Sequence, residues 1–226
     1  MNTIQYILVL AAAYFIGAVP FGFLIARSKG IDLRKVGSGN IGATNLGRAL
    51  GKKWAVVCFF LDVAKGLIPV LAGRALVTEN PTALELLQWM TIGCAAVLGH
   101  IYPVYIGFKG GKGVATSLGF VLGIWPYLTI PGFIGFAVWL ATLKISHYVS
   151  LSSILAAIIM PIILACGIII LDEWKIENLW PLIVISTLMA MLITYRHRDN
   201  LKRIAAGTET RVFEGKEKRN LNINTL

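Results

Sequence analysis

The chain has 226 residues, of which 57% are hydrophobic and only 14% are charged, and its mean hydropathy is +0.74. A soluble domain carries about 25% charged residues, so this composition excludes a soluble protein and predicts an integral membrane protein. The net charge of +10 lies in short segments between apolar runs, which favours loops facing an anionic leaflet over a nucleic-acid-binding face.

Apolar runs that can cross a bilayer need about 20 residues. The first run, 4–26, has no basic residue before it, unlike a secretory signal peptide, so we predict that it is a permanent span. Four more runs are long enough, at 54–77, 83–106, 151–171 and 179–195.

The remaining apolar segment, 114–149, is too long for one helix. It is interrupted by WPYLTIPG (125–132), whose two prolines and terminal glycine disfavour a continuous helix. The segment is therefore either one kinked crossing or two short helices.

The distribution of basic residues decides between these alternatives. Residues 27–53 contain seven Lys and Arg, and the chain from Arg196 onward contains eight, so the positive-inside rule places both in the cytoplasm. An even number of crossings must separate them, which requires two short helices at about 114–130 and 131–147. Helices of about 16 residues reach only ~24 Å, so this pair thins the bilayer or lies shallow in it.

The predicted fold is thus an all-α polytopic membrane protein with seven transmembrane helices. Its N-terminus lies outside and its C-terminus in the cytoplasm. We predict one membrane domain over 1–204 and a polar cytoplasmic tail over 205–226.

This topology gathers four polar segments on the cytoplasmic face, which predicts a site at the membrane surface rather than a pore. They are KVGSGNIGATNLGRALGKK (35–53), YIGFKGGKGVATSLG (105–119), KISHYVSLSS (144–153) and YRHRDNLKRI (195–204). In the first, glycines let backbone N–H groups converge in a concave nest, and hydroxyl and amide side chains add donors for phosphate oxygens. The same segment contains GxGxxG, but no strand precedes it and no βαβ unit fits, so we reject a dinucleotide site.

The second segment is not a nucleotide-binding P-loop. Ile106 and Gly113 occupy the positions where that motif requires glycine and a hydroxyl residue. Two glycine-rich cationic loops on one face suit two anionic groups bound together. The alternative is that the glycines only permit tight turns while Lys109, Lys112 and Arg48 attract anionic lipid headgroups.

The last polar segment places His197 and Asn200 three residues apart, on one helical face. They offer an imidazole and an amide to a ligand, or they form the end of an ordinary interfacial helix. Farther from this face, Asp62 and Lys65 are predicted to pair with each other or with a neighbour, because single charges within a membrane are costly. His100, at the inner end of the third span, either points into the site or lies at a helix interface.

Four motifs, GSGNIGATNLGR, GHIYPVYIGFKGGKGVAT, YVSLSS and HRDNLKRI, occur in this order with these hydrophobic spacings. In them the chain resembles the bacterial acyl-phosphate:glycerol-3-phosphate acyltransferases, from the first helix to the last. The resemblance implies a seven-helix enzyme of the bacterial cytoplasmic (inner) membrane, with its active site on the cytoplasmic side. The implied reaction transfers a fatty acyl group from acyl phosphate to the 1-hydroxyl of sn-glycerol 3-phosphate. It gives lysophosphatidic acid and phosphate, the first acylation of phospholipid synthesis.

The implied partners are acyl phosphate, glycerol 3-phosphate and the lipid bilayer, and the soluble enzyme that makes acyl phosphate is a further candidate. No nucleic acid, cofactor or metal is expected. The chain also lacks a His-x4-Asp pair, on which acyltransferases that use CoA or carrier-protein thioesters depend. The residues five positions after the three histidines are Tyr105, Ser152 and Lys202. We therefore expect no dependence on acyl-CoA.

The site residues follow from the same resemblance. It assigns the acyl-phosphate headgroup to the nest at 38–44, and glycerol 3-phosphate to Arg48, Lys112, Ser150, His197 and Asn200. The expected catalytic residues are Ser38, Arg48, Lys112, His197 and Asn200. The expected substrate-binding residues are Gly37, Gly39, Asn40, Gly42, Thr44, Asn45, Gly110, Gly111, Gly113 and Ser150. The base that accepts the hydroxyl proton is either His197 or a non-bridging oxygen of the donor phosphate.

Overall fold

A computed structural model describes residues 3–212, and every regular element in that range is helical. The helices are α1 (Thr3–Ala18), α2 (Phe21–Ser28), α3 (Ala43–Leu50), α4 (Lys52–Arg74), α5 (Ala83–Ile101), α6 (Val114–Gly123), α7 (Thr129–Ser146), α8 (Val149–Ile170), α9 (Ile176–Arg196) and α10 (Arg198–Ala205). The expectation of an all-α membrane protein is confirmed. Most of the predicted tail, from residue 213 onward, lies outside the described residues.

Six segments of the described chain are long and apolar enough to cross a membrane. They are Thr3–Ser28, Lys52–Arg74, Ala83–Ile106, Thr129–Ser146, Val149–Ile170 and Ile176–Arg196. The seventh predicted helix corresponds to α6, which is apolar but has only 10 residues. A helix of that length covers about 15 Å, roughly half of the hydrocarbon core.

The break in the middle of the chain was predicted at 130/131, and this position is wrong. Instead, α6 ends at Gly123 and α7 begins at Thr129, so the turn contains Pro126. Pro131 lies in the first turn of α7, where backbone N–H groups have no intrahelical partner and a missing one costs little. The position of each proline relative to a helix start, rather than its presence, therefore determines the break.

The first predicted span, 4–26, is also interrupted. α1 ends at Ala18 and α2 begins at Phe21, with Pro20 as the residue before it. Proline has no N–H to donate to the preceding turn and disfavours helix in the residue before it, so the chain changes direction at Val19.

The short α6 packs along α4 through small residues. A side chain added at Gly66 would lie 2.1 Å from the Thr116 carbonyl oxygen, and one added at Gly119 would lie 2.0 Å from that of Val63. Such close backbone approach is typical of helix pairs in membranes. It holds α6, and the glycine-rich loop before it, against the centre of the bundle.

Candidate active site

One cavity of about 410 Å³ joins all four polar segments. Its polar wall comes from helix ends and loops: Ser38, Asn40, Thr44, Asn45, Arg48, Lys112, Ser150, His197, Asn200 and Glu209. Deeper turns of α6 to α9 supply an apolar wall, which includes Phe120, Leu128, Phe136, Trp139, Met160 and Met189. The cavity is thus polar at the end where the loops meet and apolar among the helices.

The loop before α3 is shaped from within by Asn45, which is only 2% exposed. Its Oδ1 accepts a hydrogen bond from the Ser38 N–H at 3.0 Å. Its Nδ2 donates to the carbonyl oxygens of Val36 and Asn40, each at 2.9 Å. The amide of Asn45, predicted to bind substrate, is therefore engaged in holding the loop.

Gly37 and Gly39 allow this loop to close. Both have positive φ, at 59° and 69°, a backbone conformation that residues other than glycine rarely adopt. A side chain at Gly37 would also lie 2.4 Å from Asn45 Oδ1. These two predicted binding residues lie behind the cavity wall, whereas Ser38 and Asn40 are on it.

The start of α3 faces the same cavity. Gly42 precedes the helix without a side-chain cap. The Gly42 N–H donates to Asn40 Oδ1 and the Asn45 N–H to the Gly42 carbonyl oxygen, so the N–H groups of Ala43 and Thr44 are the ones open to a ligand. Together with the positive end of the helix dipole, they favour an anion. Gly42 and Thr44, predicted for the donor headgroup, line the cavity, and so does Arg48, predicted for glycerol 3-phosphate.

Lys112 and Asn200 meet across the cavity, 88 residues apart in the chain. The Lys112 ammonium donates to Asn200 Oδ1. Burial lowers the pKa of Lys112 to about 8, with nearby arginines adding to the effect of burial. A buried lysine with a lowered pKa faces a cavity that can offer it an anion.

Glu209 was not predicted as a site residue, yet it lies on the cavity wall. Its carboxylate accepts from Asn200 Nδ2 at 2.6 Å and from Arg203 Nε at 2.7 Å. Glu209, Thr210 and Val212, at the start of the predicted tail, therefore lie against the site. The sequence offered one signal, an acidic residue within a strongly basic segment.

His197 lies between α9 and α10 and is 2% exposed. Its Nδ1 is 2.8 Å from the Ile193 carbonyl oxygen. Because a carbonyl only accepts, Nδ1 carries the proton, and in the neutral ring Nε2 keeps a lone pair. Burial, and next the charge of Lys112, lower the pKa of His197 to about 4, so the ring is neutral near pH 7.

Ser150 lies in the first turn of α8 and is 4% exposed. Its Oγ has no hydrogen-bond partner within residues 3–212, although it lines the cavity. Buried hydroxyls are normally paired, so this one is available to a ligand.

The three glycines of the second loop differ in position. Gly113 lines the cavity, whereas Gly110 and Gly111 lie behind it, against His100. Arg196 donates to the Gly111 carbonyl oxygen at 3.1 Å and so holds the loop from the other side.

The predicted pair of Asp62 and Lys65 is confirmed, with 2.8 Å between Lys65 Nζ and Asp62 Oδ1. His100 is buried, faces Asp62 and also lines the cavity. Within residues 3–212, no three His, Cys, Asp or Glu side chains cluster in a way that could hold a metal ion.

The chain is similar to known proteins over most of its length. The family profile described as glycerol-3-phosphate acyltransferase matches residues 7–207. The glycerol-3-phosphate acyltransferase of Aquifex aeolicus is 45% identical over 199 residues, 88% of this chain and 95% of its own. That of Thermus thermophilus is 44% identical over 215 residues, 93% of this chain and 96% of its own.

A solved structure is also similar. It is the glycerol 3-phosphate form of PlsY (YgiH), an integral membrane glycerol 3-phosphate acyltransferase, which matches with a TM-score of 0.80 and 40% identity. The match covers 92% of this chain and 95% of that one. Because the profile and these relatives cover nearly the whole described chain, the protein is an acyltransferase that belongs to the glycerol-3-phosphate acyltransferase family.

Proposed function

We propose that the protein transfers a fatty acyl group from acyl phosphate to the 1-hydroxyl of sn-glycerol 3-phosphate, forming lysophosphatidic acid and phosphate. The observation that carries this proposal is the single cavity with a cationic polar end and an apolar end. Both substrates carry phosphate and one carries an aliphatic chain, so such a cavity can take both. The related PlsY structures are of a glycerol 3-phosphate form and a lysophosphatidic acid form, which correspond to the acceptor and product of this reaction.

The donor headgroup lies in the nest formed by residues 38–44 and the start of α3. Glycerol 3-phosphate binds between Arg48 and Lys112, with Ser150, His197 and Asn200 as further contacts. The two cations separate phosphates that would otherwise repel each other. The acyl chain follows the apolar wall between α6 and α8, past Phe120 and Met160.

In the reaction, the 1-hydroxyl oxygen bonds to the acyl carbon and the bond from that carbon to the phosphate oxygen breaks. Acyl phosphate has a good leaving group, so positioning and neutralisation of the leaving phosphate are the main tasks of the protein. Burial lowers the pKa of His197 to about 4, which makes its ring a weak base. A non-bridging oxygen of the donor phosphate takes the proton, while His197 Nε2 orients the hydroxyl as an acceptor.

The donor is tested with purified protein in detergent, glycerol 3-phosphate and either palmitoyl phosphate or palmitoyl-CoA. We expect lysophosphatidic acid and phosphate in equal amounts from palmitoyl phosphate and no turnover from palmitoyl-CoA. Protein inactivated by heat serves as the control for spontaneous acyl transfer. Sustained turnover with acyl-CoA alone would contradict the proposed donor.

We also propose that this site lies at the cytoplasmic face of the bacterial inner membrane, with seven crossings, the N-terminus outside and the C-terminus inside. Support comes from the cavity, which joins Ser38 to Asn200 and so requires an even number of crossings between them. Five candidate spans, α4, α5, α7, α8 and α9, lie between these residues, and α6 makes the sixth crossing.

This topology predicts the labelling of single cysteines in a variant without the native Cys58, Cys94 and Cys166. A cysteine at exposed Lys35 or Lys202 should react with a membrane-impermeant reagent only in inside-out vesicles, whereas one at exposed Glu173 should react only in right-side-out vesicles. Opposite sidedness for positions 35 and 202 would show that α6 does not cross.

A further inference from the structure

A buried cluster of one aspartate, one lysine and one histidine borders the site. Asp62 and Lys65 are 2% and 3% exposed, and His100, on the neighbouring α5, is 5% exposed. Lys65 Nζ and His100 Nδ1 lie 2.8 Å and 3.6 Å from the same oxygen, Asp62 Oδ1. A buried ion pair is often no more stabilising than apolar residues of the same volume. Stability alone therefore does not account for this cluster.

Lys65 connects the cluster to the break in the first span. Lys65 Nζ donates to the Val19 carbonyl oxygen at 2.8 Å. At the break before Pro20, this carbonyl oxygen also accepts from the Phe21 N–H at 3.1 Å. The ammonium is its second donor and ties the junction of α1 and α2 to α4.

His100 connects the cluster to the loop that carries Lys112. The Gly111 N–H donates to the His100 carbonyl oxygen at 3.1 Å, and the Gly110 N–H donates to that of Ile101 at 3.1 Å. A side chain added at Gly111 would lie 2.1 Å from His100 Nε2, so the imidazole ring lies directly against the loop backbone. A rotation of this ring would move Gly111 and the adjacent Lys112.

We propose that Asp62 is a positioning residue for substrate binding, acting through His100 on Lys112. Asp62 fixes the orientation of the imidazole ring from the side facing α4, and the ring fixes the position of Gly111 and Lys112 relative to the cavity. Arg196 holds the loop from the opposite side by donating a hydrogen bond to the Gly111 carbonyl oxygen. The kinetic part of this inference rests on the proposed role of Lys112 as a ligand of the substrate phosphate.

Two double variants separate this role from a structural one. The first, which we call the leucine pair, combines Asp62→Leu with Lys65→Met and removes both charges and the oxygen that faces His100. The second, the asparagine pair, combines Asp62→Asn with Lys65→Met; it also removes both charges but keeps an oxygen in that place. Neither variant leaves an unpaired buried charge, which is the usual cause of failed folding at such sites, and both lose the contact to Val19.

We expect the leucine pair to raise the KM for glycerol 3-phosphate by about tenfold or more, with a smaller change in kcat, because a small displacement of a binding group is costly. The asparagine pair should keep a KM close to that of the wild type. Amide hydrogen exchange of residues 107–113, measured without substrate, should be faster in the leucine pair and unchanged in the asparagine pair. Equal KM values and equal exchange in the two pairs would overturn the proposal.

The exchange measurement does not depend on activity. If the wild-type protein made no lysophosphatidic acid, the proposed function would fail while the exchange comparison still tested the positioning of the loop. If the leucine pair does not fold, His100→Leu replaces it, since this change removes Nδ1 and leaves the pair of Asp62 and Lys65 intact. Wild-type exchange of residues 107–113 in that variant would equally overturn the proposal.

Discussion

Replacement of Lys112 by alanine is expected to lower kcat/KM for glycerol 3-phosphate by about 100-fold, because a partly desolvated contact between a cation and phosphate contributes about 3 kcal/mol. Lys112 is the lysine of its loop that lies on the cavity wall, where it already donates to Asn200. Steady-state kinetics of the purified variant with palmitoyl phosphate and glycerol 3-phosphate measure the effect.

Lys109→Ala is the matched control, since Lys109 is exposed and does not line the cavity. It should cost several-fold at most. Lys112→Arg keeps the charge but places a planar group in a space walled by glycines, so it should also be strongly impaired. Equal and mild defects in all three variants would mean that the loop only attracts lipid headgroups.

The pH profile gives a second readout of the same residue. Because the pKa of Lys112 is lowered to about 8, the ammonium is present below this pH and is lost above it. Wild-type kcat/KM should therefore fall as the pH rises through about 8, since this parameter reports the free enzyme. The fall should be absent in Lys112→Arg, whose guanidinium stays charged throughout this range.

The second large effect is expected from Asn45→Asp. The change replaces Nδ2, which donates to the carbonyl oxygens of Val36 and Asn40, by an oxygen that repels them. The lost hydrogen bonds and the new repulsion at these part-buried carbonyls cost about 1 to 3 kcal/mol, so the nest opens. We expect kcat/KM for acyl phosphate to fall by about 100-fold.

Two further variants make this result specific to the amide of Asn45. Asn178→Asp makes the same chemical change at an exposed position in the first turn of α9, and its kinetics should match the wild type. Asn45→Ala adds no charge but removes the same hydrogen bonds, and it should also be impaired. Wild-type kinetics of Asn45→Ala would show that the loop holds its shape without this side chain.

Local sequence features determined the class of the protein and predicted the place of its site. Hydropathy over about 20 residues identifies a membrane helix because the bilayer thickness sets its length. The predicted run 83–106 accordingly matches the candidate span Ala83–Ile106. The four polar segments could likewise be predicted to lie on one face, from the positive-inside rule and the number of crossings that it requires. Their convergence on one cavity agrees with that assignment.

Other features depended on contacts between distant parts of the chain. A glycine-rich segment indicates a nest, but the sequence does not show that the Asn45 amide turns into the loop instead of toward substrate. The boundary at 205 followed from composition, whereas Glu209 returns to the cavity because Asn200 and Arg203 offer it hydrogen bonds.

The cluster under the loop shows the same limit most clearly. The sequence predicted that Asp62 and Lys65 pair with each other or with a neighbour, because single charges within a membrane are costly and these two are three residues apart in one span. For His100, the sequence allowed either a position in the site or one at a helix interface. His100 joins the cluster from α5, which begins 21 residues after Asp62. Spacing along one helix is a local property that the sequence shows directly. Close packing between helices, in contrast, decides which of their faces meet. Only the tertiary structure therefore places His100 between Asp62 and the loop of Lys112.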